Sequence, residues 1–228
     1  MVFSQMTVAF DAFQGNACAR DYIIKCLAVV DLTKNLAQQF DFAPPFDWNL
    51  LTAKSRRQNN FLTNKVHGLA WYDGDIPHAC LTKVLKEKTD GVNMIYAKGD
   101  ENTKFLQNLL GRPVYNLETL LTHMPKDKVS EISTKTGVIT QRCAANHDHF
   151  DWTVSATSRA NGCCFTRALR MAVVVREYNR MISTNQKLTI NPQPASTSAA
   201  RMPAGSEVYE EDDDEDEGDK NRVLDLLR

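Results

Sequence analysis

The chain is expected to fold as one α/β domain over residues 1–190, followed by a disordered linker and acidic tail over residues 191–228. Early in the chain, short apolar runs rich in β-branched residues alternate with turn residues, as strands do. Further on, apolar residues recur at three- and four-residue spacing, as on the buried face of a helix, and these helices alternate with short strand-like runs. After Ile190 the composition turns to Pro, Ser and Ala and then to Asp and Glu, which cannot build a core.

Met6 to Phe10 and Tyr22 to Val30 read as neighbouring strands joined through Gln14-Gly15-Asn16, a hairpin opening the sheet. A loop with Pro44-Pro45 follows, and the polar, basic stretch Lys54 to Asn64 reads as an exposed helix or loop. Pro77 suits the first turn of a helix over His78 to Lys88, whose Cys80, Leu81, Val84 and Leu85 form one apolar face. Val92 to Ala97 is the next strand, and Lys98-Gly99-Asp100-Glu101 turns into a helix carrying Phe105, Leu106, Leu109 and Leu110, stopped by Gly111. Val114 to Leu117 is a short strand. The polar stretch from Pro125 to Gly137 shows no period that assigns it. Ala160 to Met181 reads as the closing helix, with Phe165, Leu169, Val173 and Val174 inward and Arg167, Arg170, Arg176 and Arg180 directed elsewhere.

The bulk properties narrow the class. Six scattered cysteines lack the spacing of a disulfide framework, and no leader-like N-terminal stretch is visible, so the thiols are expected to be reduced and the chain intracellular, in nucleus or cytoplasm. No apolar run approaches the ~20 residues that span a bilayer. Residues 1–204 hold 24 Lys and Arg against 17 Asp and Glu, a net charge of +7, while Gly205 to Asp219 contains ten acids and no base. A basic body favours phosphate polyanions as partners. The tail reads either as a polyanion mimic that competes with nucleic acid for the basic body or as a solubilising end.

Three groups of residues carry possible chemistry. Asp11 at the end of the first strand, with Asp100 and Glu101 at a helix entrance, could together hold two Mg²⁺ or Mn²⁺ ions for phosphodiester hydrolysis; turn hydrogen bonding and the helix dipole account for the same acids locally. Cys143, His147 and Cys163, with His149 and Cys164 nearby, could supply zinc ligands, although the spacing lacks paired C-x2-C knuckles and adjacent cysteines opening an apolar helix also suit a core. Arg56, Arg57 and Lys65, beside Trp71 and Tyr72, and Lys98 at the later turn, offer cations for phosphates and rings for unpaired bases; Trp71 between Leu69, Ala70 and Tyr72 equally suits a core margin.

The order of these pieces, with F-D-x-x-Q-G at Phe10 to Gly15, H-G-L-x-W at His67 to Trp71, G-D-I-P at Gly74 to Pro77 and Y-x-K-G at Tyr96 to Gly99, resembles the ribonuclease-H-like DEDD-type 3′–5′ exonucleases. The likeness is greatest to uncharacterised members from insect genomes, mobile elements and viruses, and it covers about residues 5 to 182. It implies a three-layer α/β domain with a mixed five-stranded sheet. The departures matter as much. Where that family carries D-x-E, this chain has one carboxylate, Asp11; where it has an aspartate before Phe-Leu, the aligned residue is Asn102; and the last helix opens with Gly162, Cys163, Cys164 and Arg167, a base in place of a metal ligand. Asp148, His149 or Asp151 could substitute from the preceding loop.

The resemblance therefore implies the fold more than the activity. The expected function is a catalytically degenerate nuclease-like protein that binds nucleic acid or a nucleic-acid-processing partner, with protein contacts open to the acidic tail. An active exonuclease using Asp11, Asp100 or Glu101, and Asp148 with Mg²⁺ or Mn²⁺ is the alternative, and a zinc-stabilised interaction protein a further one.

Overall fold

The computed structural model describes residues 3–16, 22–137 and 164–184. The linker and acidic tail expected after residue 190, and the stretch 138–163 with Cys143, His147, Asp148, His149 and Cys163, lie outside the described residues. Five strands form a mixed open sheet: β1 (Gln5–Gln14), β2 (Tyr22–Asp31), β3 (Leu36–Asp41), β4 (Met94–Ala97) and β5 (Tyr115–Asn116), in the order β3-β2-β1-β4-β5. β1, β2 and β3 pair antiparallel, whereas β4 runs parallel to β1 and β5 parallel to β4. The expected hairpin is present. β3 escapes a sequence reading because Leu-Ala-Gln-Gln-Phe-Asp lacks alternation; it forms because the Asp31 carboxylate takes the amides of Thr33 and Lys34 at 2.9 Å and Asn35 turns the chain with φ 53°.

Alternation along β1 sends Met6, Val8 and Phe10 to one face of the sheet and Thr7, Ala9 and Asp11 to the other. The first face is covered by α2 (Leu81–Thr89) and α3 (Asp100–Leu110), whose Leu81, Leu85, Leu106 and Leu110 share a cluster with Ile24, Leu27 and Val29. Gly111 ends α3 in the left-handed region at φ 68°, where a residue without Cβ is favoured. A turn of 3-10 helix, His78–Cys80, leads into α2 directly after Pro77, as expected from proline at a helix start.

The second face carries α4 (Leu117–Thr122), α5 (Lys126–Gly137) and α6 (Cys164–Ser183). The unassigned polar stretch is thus the helix α5; it docks by Ile132 and Val129, and Lys135 bridges to Glu177 of α6 at 2.9 Å. The inward face of α6 differs from the sequence expectation. Phe165, Leu169 and Val173 are half-buried, and Cys164, Ala168, Met171, Ala172, Val175 and Tyr178 are buried instead, with Val174 buried as expected. The reason is steric: β2 presents Cys26, Ala28 and Val30, so small residues at i, i+4 and i+8 of α6 allow close approach while larger ones flank it.

A buried polar bond also joins α6 to β1. Thr7, fully buried, donates its hydroxyl to the Ala168 carbonyl at 2.9 Å. Thr7→Val is expected to lower stability by about 1 kcal/mol, because the carbonyl loses its buried donor at constant side-chain volume. An unchanged urea midpoint in that variant would show that the tether contributes nothing.

Candidate functional site

Asp11 stands where β1 is irregular. Its register partner is Cys26, but the next pair is Ala12 with Ile24, so Lys25 of β2 has no partner on β1 and forms a bulge. The Asp11 side chain is 6% exposed and points toward the start of α6. One carboxylate oxygen accepts the Cys164 amide at 2.9 Å, and the other pairs with the Arg167 guanidinium, which also reaches the Phe10 carbonyl at 2.8 Å. An anion at a helix N-terminus backed by an arginine is a well-compensated buried charge. Arg167 was expected to point away from the core; it turns inward because Asp11 needs a cation there.

The remaining acids engage other partners. Asp100, exposed at the start of α3, accepts from the Asn116 side-chain amide at 2.9 Å. The Asn116 oxygen in turn accepts the Gly99 amide at 3.1 Å and the Glu118 amide at 3.0 Å, so one asparagine joins the ends of β4 and β5 to the starts of α3 and α4. Glu101 accepts from the Tyr22 hydroxyl at 3.2 Å, and Tyr22 packs its ring on Phe10 and Phe105, on the face of the sheet opposite to Asp11. Asp11 and Glu101 thus bond to groups on different faces. Lys98, half-buried in the turn before α3, offers its carbonyl to Asn102 at 3.0 Å.

The basic stretch after β3 is the helix α1 (Ala53–Leu62), continued by a wider π-helical turn, Thr63–His67. Thr52 caps it, its hydroxyl accepting the Ser55 amide at 3.1 Å. Its inner face is polar. Fully buried Asn59 accepts the Gln14 amide at 2.7 Å and donates to the Gln14 carbonyl at 2.9 Å, continuing the edge of β1 as a strand would, and Ser55 donates to the Gly15 carbonyl at 2.9 Å. These bonds fix α1 at the end of β1, three residues and about 10 Å of strand from Asp11.

The outer face of α1 and its π-helical continuation carries Lys54, Arg57, Phe61 and Lys65 at three- and four-residue spacing, all exposed, with Phe61 56% exposed. Arg56 is half-buried beside this stripe. Between Ala53 and Lys65 there are four basic residues and no acidic one. Lys54 and Phe61 carry no signal of their own in the sequence, although their spacing with Arg57 marks the stripe once a helix is assumed. Trp71 falls to the core reading: it is buried, stacks among Phe13, Phe46 and Trp48, and donates to the Phe46 carbonyl at 3.2 Å. Tyr72 is 61% exposed and bonds Asp47 at 3.0 Å.

Of the cysteines and histidines named as possible zinc ligands, Cys164 alone lies among the described residues. Buried, it meets Cys26 with the two sulfurs 2.7 Å apart, and this hydrogen bond together with burial pushes the Cys26 thiol well above the ordinary thiol range. Among the described residues, no three His, Cys, Asp or Glu side chains come together in a group that could hold a metal ion, and no helix is long and apolar enough to cross a membrane.

The fold and site define an α/β protein with a five-stranded mixed open sheet, a buried Asp–Arg pair at the irregularity within its first strand, which runs on past Asp11 to Gln14, and a basic helix at that strand's end. No protein-family model matches the chain, and no curated protein matches it.

Proposed function

We propose that this chain is a catalytically degenerate, ribonuclease-H-like protein that binds nucleic acid or a nucleic-acid-processing partner. The observation that carries the loss of catalysis is the Asp11–Arg167 pair: the strand carboxylate has one oxygen on a guanidinium and the other on the Cys164 amide. Two divalent ions require several converging carboxylates. Here the nearest cation position is taken by an arginine, and Asp100 and Glu101 are bonded to Asn116 and Tyr22, so the described residues do not fit a two-metal centre.

The layering supports the fold assignment. A mixed sheet opened by antiparallel strands, with α2 and α3 on one face and α4 to α6 on the other, is what the resemblance to the exonuclease fold implies. Nucleic-acid binding is supported by the outer stripe of α1. Lys54, Arg57 and Lys65 follow successive turns and match the charge of a phosphate backbone, while Phe61 between them offers a ring to an unstacked base. Arg56 and Lys98 add positive charge to the same reading.

Binding and cleavage are measured together. A 5′-labelled single-stranded oligonucleotide is incubated with the full-length protein and Mn²⁺, reading retention and products in the same tubes. The expected result is salt-sensitive retention without cleavage, with Lys54→Ala, Arg57→Ala and Lys65→Ala combined reducing the slope of log affinity against log salt by roughly 2. Laddered products that vanish in Asp11→Ala would overturn the degenerate reading, and loss of retention at every salt concentration would overturn nucleic-acid binding and leave the protein partner.

A further inference from the structure

We infer that Cys26 and Cys164 form a reversible disulfide that clamps the first turn of α6 to strand β2 beside Asp11. The two sulfurs stand 2.7 Å apart. That is well inside non-bonded sulfur contact and close to the roughly 2.05 Å of the covalent bond. It is too short for two thiolates sharing a zinc ion, which at about 2.3 Å from the metal in a tetrahedron lie roughly 3.8 Å from each other.

The surroundings hold the pair in register. Cys26 is the β2 partner of Asp11, and Asp11 accepts the Cys164 amide at 2.9 Å, so one carboxylate sets the position of the helix residue against the strand residue. Ala28, Ala168 and Ala172 keep α6 close to the sheet, and Leu69 closes the apolar cluster around both sulfurs. Burial and the neighbouring Cys164 sulfur raise the Cys26 thiol, so the reduced pair is protonated.

The oxidant is a hydroperoxide. One thiol attacks a peroxide oxygen and yields a sulfenic acid, with the alcohol or water leaving. The second sulfur then displaces the hydroxyl, lost as water with its own proton, so two electrons pass to the peroxide and the S–S bond forms. A dithiol reductant reverses it. Closure joins residues 138 apart in sequence, which constrains the unfolded chain strongly. It also holds the Cys164 amide and Arg167 on Asp11.

The test uses the full-length chain in a Cys163→Ala background, so that Cys164 has no adjacent thiol. The reduced protein is treated with hydrogen peroxide in the folded state and, separately, refolded in a glutathione redox buffer, which allows pairing before burial. Peptide mapping is expected to find the Cys26 and Cys164 peptides joined, lighter by two hydrogens than their sum. Tm is expected to rise by roughly 5 to 10 °C and to return with dithiothreitol. Cys26→Ala and Cys164→Ala, each compared with and without oxidant, are expected to show no rise. Recovery of both residues as thiols after both treatments, or of Cys164 joined to a different cysteine, would overturn the inference.

Discussion

Replacing Arg167 by methionine is expected to destabilise the protein by about 3 to 5 kcal/mol, because it leaves the Asp11 carboxylate buried with no cation. Asp11 is 6% exposed and Arg167 is 22% exposed, so solvent screens the pair little. The Cys164 amide remains as one partner of Asp11, which keeps the loss below the full cost of an isolated buried charge. Asp11→Asn in the same background should recover much of the loss, since a neutral amide of equal size can still accept from the Cys164 amide. Urea unfolding of the wild type, the two single variants and the double variant measures this coupling. If Arg167→Met lies within 1 kcal/mol of wild type, the ion pair is not the feature that holds α6 on the sheet.

Lys25→Met is expected to cost about 3 kcal/mol. Lys25 is the bulged residue of β2, 2% exposed, and its ammonium donates to the Phe42 carbonyl at 2.5 Å and to the Asp73 carbonyl. It thereby ties the loop after β3 and the segment before α2 to the sheet. Methionine fills the space and leaves both carbonyls without a donor. Space at this junction is already limited: a Cβ on Gly74, which sits at φ 96°, would stand 2.5 Å from the Phe42 carbonyl carbon.

The same lysine makes stability depend on pH. Burial pulls its pKa down to about 8, against smaller raising effects from Asp73 and Asp41. The unfolded chain, with an ordinary lysine near 10.5, therefore holds more protons between about pH 8 and 10.5. The Lys25 contribution thus rises with pH across that window, by at most about 3 kcal/mol, and is lost again as pH falls toward 8. Tyr96 and Cys26 act in the opposite sense, because burial raises the tyrosine, and the Cys164 hydrogen bond with burial raises the thiol. The measurement is accordingly the difference between wild type and Lys25→Met at pH 7.5, 9 and 10.5. A difference that stays flat would exclude a depressed lysine.

Local patterns were readable where they act over a few residues. The Gln14-Gly15-Asn16 hairpin, the stop of α3 at Gly111, the start near Pro77 and the apolar faces of α2 and α3 all follow from spacing and turn chemistry. α5 has no readable period because its burial rests on little more than Val129 and Ile132, and β3 has none because an edge strand paired on one side needs no alternation. The buried face of α6 was misassigned for a different reason. Hydrophobic spacing alone selects the large residues, whereas the sheet selects the small ones, Cys164, Ala168 and Ala172.

The site divides along the same line. By itself the sequence determined that Asp100 and Glu101 open a helix and that residues 54 to 65 are basic, since each is a local property of composition and spacing, whereas the strand expected to end at Asp11 runs on to Gln14. Only the tertiary structure decided that Asp11 pairs with Arg167, 156 residues away, that Cys26 meets Cys164, and that Lys25 bulges to hold two loop carbonyls. Those contacts depend on which side chains the packing of α6 and a single extra residue in β2 bring together, and no periodicity along the chain records a partner across the fold.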